Sequence, residues 1–259
     1  MTTLRTLDLF AGAGGFTLAG ELAGGYETVA FCEIDKYARK VLAKNWPNIP
    51  IFDDVTTLKA SDIDGTIDVI TGGFPCQDLS AAGRGAGLAD GTRSGLFREM
   101  LRLACEIREK QGRLPYIIFE NVPRLLSGPS EKSGQWFGEF LGELAQVGYD
   151  AEWFCISAAS IGAPHERERV CVVAYANEAP IERGRISRRV FEEHASIDSA
   201  NSWWRLGFSE RKFYRMDDGI SKGSHTNRNG LMGNAIVPQV FAISMRALYK
   251  ADQLAKSST

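Results

Sequence analysis

Short apolar runs alternate with amphipathic stretches through the first half of the chain. Residues 6–10 read as a strand and 17–22 as a helix, and the pair recurs as 28–32 with 36–45, 68–71 with 95–109, and 116–119 with 134–147. A strand followed each time by a helix predicts parallel βαβ units. The expected fold is therefore α/β, a doubly wound and mostly parallel sheet with functional loops at the strand C-termini. Residues 152–156 and 170–174 read as two more strands with only a loop between them, so the sheet is expected to end in an antiparallel pair. The rhythm stops after Tyr175 and resumes at Leu231, with an amphipathic helix over about 239–254. The chain thus divides into a main domain at 1–175, a small irregular insert at 176–231 and a C-terminal element at 232–259 that returns to the main domain.

Composition narrows the class. With 259 residues and 44% hydrophobic content, the chain can bury a full core. It holds no run of about 18 apolar residues, and residues 1–5 lead into a strand without the apolar core of a signal peptide, which predicts a cytoplasmic protein with no membrane association. The five cysteines are widely spaced with no Cys-x-x-Cys pair, which argues against a disulfide framework or a metal site. Cys32, Cys105, Cys155 and Cys171 lie in apolar runs and are expected in the core. The net charge of −2 gives no overall attraction to nucleic acid, yet the insert carries ten Lys/Arg against eight acids. Arg183, Arg185, Arg188 and Arg189 cluster there, and Trp203-Trp204 and Phe213-Tyr214 lie among arginines, a mixture that suits nucleic-acid contact or a mini-core.

Two stretches carry candidate chemistry. The run 68–73, ending in Gly72-Gly73, predicts a buried strand and a sharp turn, after which Phe74-Pro75-Cys76-Gln77 sets a thiol just past a strand. Pro75 fixes the backbone before it. As a thiolate Cys76 is a nucleophile, provided positive charge, helix amides or a base lower its pKa; taken alone, a cysteine just past a strand is more often a small core residue. The second stretch, Asp8-Leu9-Phe10-Ala11-Gly12-Ala13-Gly14-Gly15-Phe16, leads from the first strand into a helix, where doubly wound sheets bind nucleotide-like ligands. Thr17 stands where a dinucleotide fingerprint has its third glycine, no Gly-Lys-Ser/Thr sequence occurs, and the loop lacks any basic residue. Glu33 ends the second strand at the spacing of a ribose-binding acid, and Asp54 ends the third strand region as an acceptor for an adenine amino group. A ligand with ribose and adenine but no pyrophosphate suits this set better than NAD or ATP, and S-adenosylmethionine is the candidate.

Further motifs follow in order: residues 72–80 (Gly-Gly-Phe-Pro-Cys-Gln-Asp-Leu-Ser), Arg93-Ser94-Gly95-Leu96-Phe97, Phe119-Glu120-Asn121-Val122, Arg167-Glu168-Arg169 and Gly233-Asn234-Ala235-Ile236-Val237-Pro238. With the first loop, Glu33 and Asp54, these resemble the cytosine-C5 DNA methyltransferases over nearly the whole chain outside residues 176–214. The resemblance implies a fold of the S-adenosylmethionine-dependent methyltransferase type. It also implies S-adenosyl-L-methionine held by Asp8, Phe10, Ala11, Gly12, Gly14, Gly15, Glu33, Ile34, Asp54, Val55, Pro75, Asn234 and Ala235. Cys76 would add to C6 of cytosine so that C5 can attack the sulfonium methyl group, and Glu120 would hold N3 and the amino edge as a proton donor, which favours a raised carboxyl pKa. Arg169 would contact the cytosine and the catalytic loop, and Arg167 would support phosphate or nearby carboxylates. Gln77, Ser80 and Arg84 would meet DNA from a glycine-rich loop that closes over it. The cytosine must then be flipped out of the duplex, with 176–231 as the target-recognition insert.

Implied partners are double-stranded DNA and a cognate restriction endonuclease, with the protein itself a monomer. Where the best-known members have Gln at the head of the arginine motif this chain has His165, either a hydrogen bonder in the same place or a loop residue. The insert is short for the family, and residues 215–219 (Arg-Met-Asp-Asp-Gly) are a remnant of the motif that precedes the final Gly-Asn. Glu120 also reads as a strand-end carboxylate capping the next turn, and Asn121 as a residue that orients the loop. Two other functions remain open from sequence: a tRNA cytosine-C5 methyltransferase, and a DNA-binding relative without turnover.

Overall fold

The computed structural model describes residues 3–75, 93–127, 134–163, 165–196 and 236–257. Its strands are β1 (Leu4–Leu9), β2 (Tyr26–Cys32), β3 (Ile51–Phe52), β4 (Val69–Gly73), β5 (Tyr116–Asn121), β6 (Tyr149–Ser157) and β7 (Glu168–Ala176). The described helices are α1 (Gly15–Ala23), α2 (Lys36–Asn45), α3 (Phe97–Gln111), α4 (Arg124–Ser127), α5 (Gln135–Gln146), α6 (Arg185–Ala195) and α7 (Pro238–Ser257).

Strand alternation decides the layers. In β7, Val170, Val172 and Ala174 face one side of the sheet while Cys171, Val173 and Tyr175 face the other; in β5, Ile117 and Phe119 oppose Ile118. All of these are buried, because helices cover both faces. The rings of Phe97 on α3 and Phe140 on α5 pack at a centroid distance of 5.1 Å over the first face. On the second face α1, α6 and α7 pack together, with Phe16 edge-on to Phe241 at 5.0 Å. The seven strands run in the order β3-β2-β1-β4-β5-β7-β6. The first five are parallel, and β7 lies antiparallel between β5 and β6. The doubly wound sheet, its antiparallel end and the closing helix all follow the expectation from sequence.

Two features differ from it. Where irregular chain is expected after Tyr175, α6 forms and docks on the sheet through Ile186 and Val190, one turn apart. The buried carboxylate of Glu152 on β6 accepts hydrogen bonds from the N–H groups of Gly184 (3.1 Å) and Ser187 (2.7 Å) and from the Tyr175 hydroxyl (3.2 Å), capping the helix from a distant strand. The cysteines also divide. Cys32 and Cys171 are buried, and desolvation pushes each thiol up to about 12, but Cys105 is half-buried and Cys155 is exposed. The cause for Cys155 is its place on β6, the sheet edge, where every second side chain faces outward.

Candidate active site

The strand order reverses at β1: the chain runs outward to β2 and β3 and returns as β4 on the other side, which opens a crevice at the C-terminal ends of β1 and β4. The loop that fills its floor is tightly wound. Phe10 has φ 52°, a left-handed value that strains a non-glycine residue and occurs where the surroundings over-determine the backbone. Gly14, at φ 82°, lies against Trp46, whose indole a methyl group at this position would strike. The Gly12 N–H donates to Oε2 of Glu33 at 2.7 Å, and the Asp35 N–H donates to Oε1 at 2.8 Å. Glu33 thus ties the loop to the end of β2, and each oxygen retains lone-pair capacity for a further donor.

Next to Glu33, the Ile34 side chain is 74% exposed, an apolar surface at the rim of the crevice. Asp54 accepts from the Thr56 N–H (2.9 Å) and hydroxyl (2.7 Å), which hold its carboxyl below the usual carboxylate range and keep it an ionised acceptor. The Val55 side chain is buried in the core, and only its backbone faces other partners: its carbonyl accepts from Arg102 Nη2 at 2.8 Å. Arg39 on α2 donates to the carbonyls of Glu33 (3.0 Å) and Ile34 (3.1 Å), a brace that sequence reasoning missed. Its only sequence signal is a basic residue six positions after a strand-end acid.

Asp8 is the other acidic residue expected among the cofactor contacts. It is fully buried beneath the loop, with its carboxylate bonded to Thr17 Oγ1 (3.1 Å) and Thr71 Oγ1 (3.0 Å). The surface groups fit S-adenosylmethionine: carboxylates for hydroxyl and amino donors, Ile34 for a flat ring, and no cation in the loop for a phosphate.

A second group of residues converges at the ends of β4, β5 and β7. The β4–β5 register sets Gly73 opposite Glu120. A Cβ on Gly73 would lie 2.7 Å from Oε2 of Glu120, so the missing side chain is what admits the carboxyl group. Nε of Arg169 pairs with Oε1 of Glu120 at 2.7 Å. Desolvation pushes the Glu120 carboxyl above its ordinary value, opposed by the guanidinium charges of Arg169 and then Arg167. Asn121, also buried, donates from Nδ2 to the Phe74 carbonyl at 3.2 Å and accepts the Val122 N–H at 2.9 Å. It therefore fixes the backbone two residues before Cys76, the loop-orienting role considered from sequence.

The half-buried Pro75 is the last described residue of this approach. Cys76, Gln77, Ser80, Arg84, Asn234 and Ala235 lie outside the described residues, as do residues 215–219 and the aromatic pairs of the insert. His165 is exposed in the turn before β7. Among the described residues no three His, Cys, Asp or Glu side chains group as metal ligands, and no helix is long and apolar enough to cross a membrane.

Residues 4–229 match the family model described as C-5 cytosine-specific DNA methylase. The Type II methyltransferase M2.BsuMI of Bacillus subtilis (strain 168) is 38% identical over 167 residues, which are 64% of this chain and 41% of the relative. The Type II methyltransferase M.NgoBI of Neisseria gonorrhoeae is 37% identical over 166 residues, 64% of this chain and 49% of the relative. The S. pombe Dnmt2 methyltransferase structure superposes with a TM-score of 0.51 at 26% identity, covering 67% of this chain and 51% of its own. The chain spans about half the length of these relatives or less.

Proposed function

The chain belongs to the C-5 cytosine-specific DNA methylase family, and on that premise we propose that it methylates C5 of a cytosine flipped out of duplex DNA, using S-adenosylmethionine and a covalent adduct to Cys76. The observation that carries this reading is the meeting of Gly73 and Glu120, with Arg169 on the carboxylate, at the end of the strand that leads to Cys76.

S-adenosylmethionine supplies an electrophilic methyl group when bound; Glu33, Asp54 and Ile34 would hold its ribose and adenine. The Cys76 thiolate forms a bond to C6, and the C5–C6 π electrons move to C5. Glu120, whose carboxyl burial raises above its ordinary value, would donate toward N3 and neutralise the charge that would otherwise spread into the ring. Arg169 holds that carboxyl in one orientation. C5 bonds the methyl carbon as its bond to sulfur breaks. A base then removes the C5 proton, and the C5–H electrons restore the double bond as Cys76 departs. Since α6 is engaged with the sheet, we assign base reading to residues 197–231 together with the exposed side of α6.

Trapping tests the proposal. Incubated with S-adenosylmethionine, a duplex carrying 5-fluorocytosine at the target should form a denaturant-resistant complex, because fluorine cannot leave as a proton does; Cys76→Ser should form none. Failure of the wild-type protein to trap at saturating cofactor would sink the reading, and trapping on tRNA alone would move the substrate to RNA.

A further inference from the structure

Under the glycine loop a chain of side chains crosses three strands and a helix. Asp8 on β1 is paired in register with Thr71 on β4, whose hydroxyl donates to Oδ1 at 3.0 Å. The Thr17 hydroxyl on α1 lies 3.1 Å from Oδ2 and 2.9 Å from the hydroxyl of Thr28 on β2. Through the Thr17 hydroxyl, Asp8 ties the first turn of α1, whose N-cap Gly14 has no side chain of its own, to the sheet. The loop that curls over the crevice and the strand that runs on to Gly72, Gly73 and Cys76 are thus held by one carboxyl group.

Hydroxyl arithmetic gives this chain two directions, because each threonine has one hydrogen to donate. With Asp8 ionised, Thr17 and Thr71 both donate to it, and Thr17 accepts from Thr28. With a proton on Oδ2, Asp8 donates to Thr17, whose own hydrogen turns to Thr28. We propose that Asp8 is a positioning residue whose proton sets the direction of the Thr28–Thr17–Asp8–Thr71 chain, and with it the fit of the glycine loop to its ligand. Resting on the reading of the crevice as a cofactor site, the proposal identifies what governs that site near neutral pH.

Complete burial pushes the Asp8 carboxyl up to about 7, against the lowering effect of the two threonines. Glu33 at the end of β2 is the charged group that acts on it and also raises it, while α1 and β4 present the threonines. A sulfonium cation in the crevice favours the ionised form, and by linkage binding then tightens as Asp8 loses its proton.

The test is S-adenosylmethionine affinity between pH 6 and pH 8 for the wild type, Asp8→Asn and Thr28→Val. Wild-type binding should tighten about fivefold with a midpoint near neutrality. Asp8→Asn should remove the slope. Thr28→Val keeps the side-chain shape but deprives the protonated state of its last acceptor, so it should move the midpoint to lower pH; it reads the same chain if Asp8→Asn does not fold. A folded Asp8→Asn protein with the wild-type slope, or an unmoved midpoint in Thr28→Val, would overturn the proposal. Should the wild type bind no cofactor at any pH, the functional reading fails instead. Carboxyl-carbon NMR then decides the network: an aspartate titrating near neutrality and missing from Asp8→Asn upholds it, and its absence from the wild type refutes it.

Discussion

Glu120 stands between two opposed influences, burial that favours its neutral form and the Arg169 guanidinium that favours its charged form. Burial wins, so the carboxyl keeps a proton to higher pH than a free glutamate, and catalysis that needs the proton is lost as pH rises through the folded pKa. Removing the cation in Arg169→Ala should move that alkaline limb to still higher pH. It should also lower kcat by about 100-fold, because the carboxyl is no longer held against the ring, with cofactor affinity unchanged within about twofold. Arg169→Lys should recover only part of the rate, since a point charge replaces a planar fork. Single-turnover rates against pH, with equilibrium cofactor binding alongside, check this. An unmoved limb in Arg169→Ala would assign the titration to another group. Glu120 and Arg169 were legible in the sequence because their motifs are local. Arg39 and the buried setting of Asp8 were not, since each takes its meaning from partners that only the fold brings near.

Elements show the same divide between local and distant signals. The start of α2 could be read from Asp35, whose carboxylate accepts the N–H groups of Tyr37 and Ala38 at 2.8 Å, two and three residues ahead. The start of α6 could not: its cap, Glu152, lies more than thirty residues upstream on β6. The helix itself buries only Ile186 and Val190 amid arginines and glutamates, too thin a stripe to separate from an irregular basic segment. Glu152→Ala should therefore destabilise the protein by about 2 kcal/mol, the combined effect of unpaired first-turn amides and a lost partner for the Tyr175 hydroxyl. Denaturant unfolding should show a lower midpoint with an unchanged slope. A shift within error would mean that packing of Ile186 and Val190 fixes α6 without the cap. The β4–β5 pairing was also only half legible: the strands could be read, but not the register that sets Gly73 against Glu120.

Across the whole molecule, the two buried carboxyl groups Asp8 and Glu120 oppose the stability of the sheet that carries them. The folded value of Asp8 is raised from 3.8 to about 7, and that of Glu120 is raised from 4.5. Over the window between unfolded and folded values the native state binds more protons than the unfolded chain, so the contribution of Asp8 is fully present below about 4 and is lost as pH rises to about 7. The ideal slope is about 1.4 kcal/mol per pH unit for one such group, and relaxation of a buried site reduces it. Urea unfolding of the wild type from pH 4 to pH 7 should therefore show stability falling by roughly 1–3 kcal/mol more than in Asp8→Asn, whose amide cannot ionise. The variant should gain on the wild type steadily with pH. Parallel curves would mean that Asp8 stays charged in its buried site, and the threonine hydroxyls would then outweigh desolvation. The large aromatic and aliphatic core on both faces of the sheet offsets the loss, so a titratable group can lie beneath the glycine loop in a protein that still folds at neutral pH.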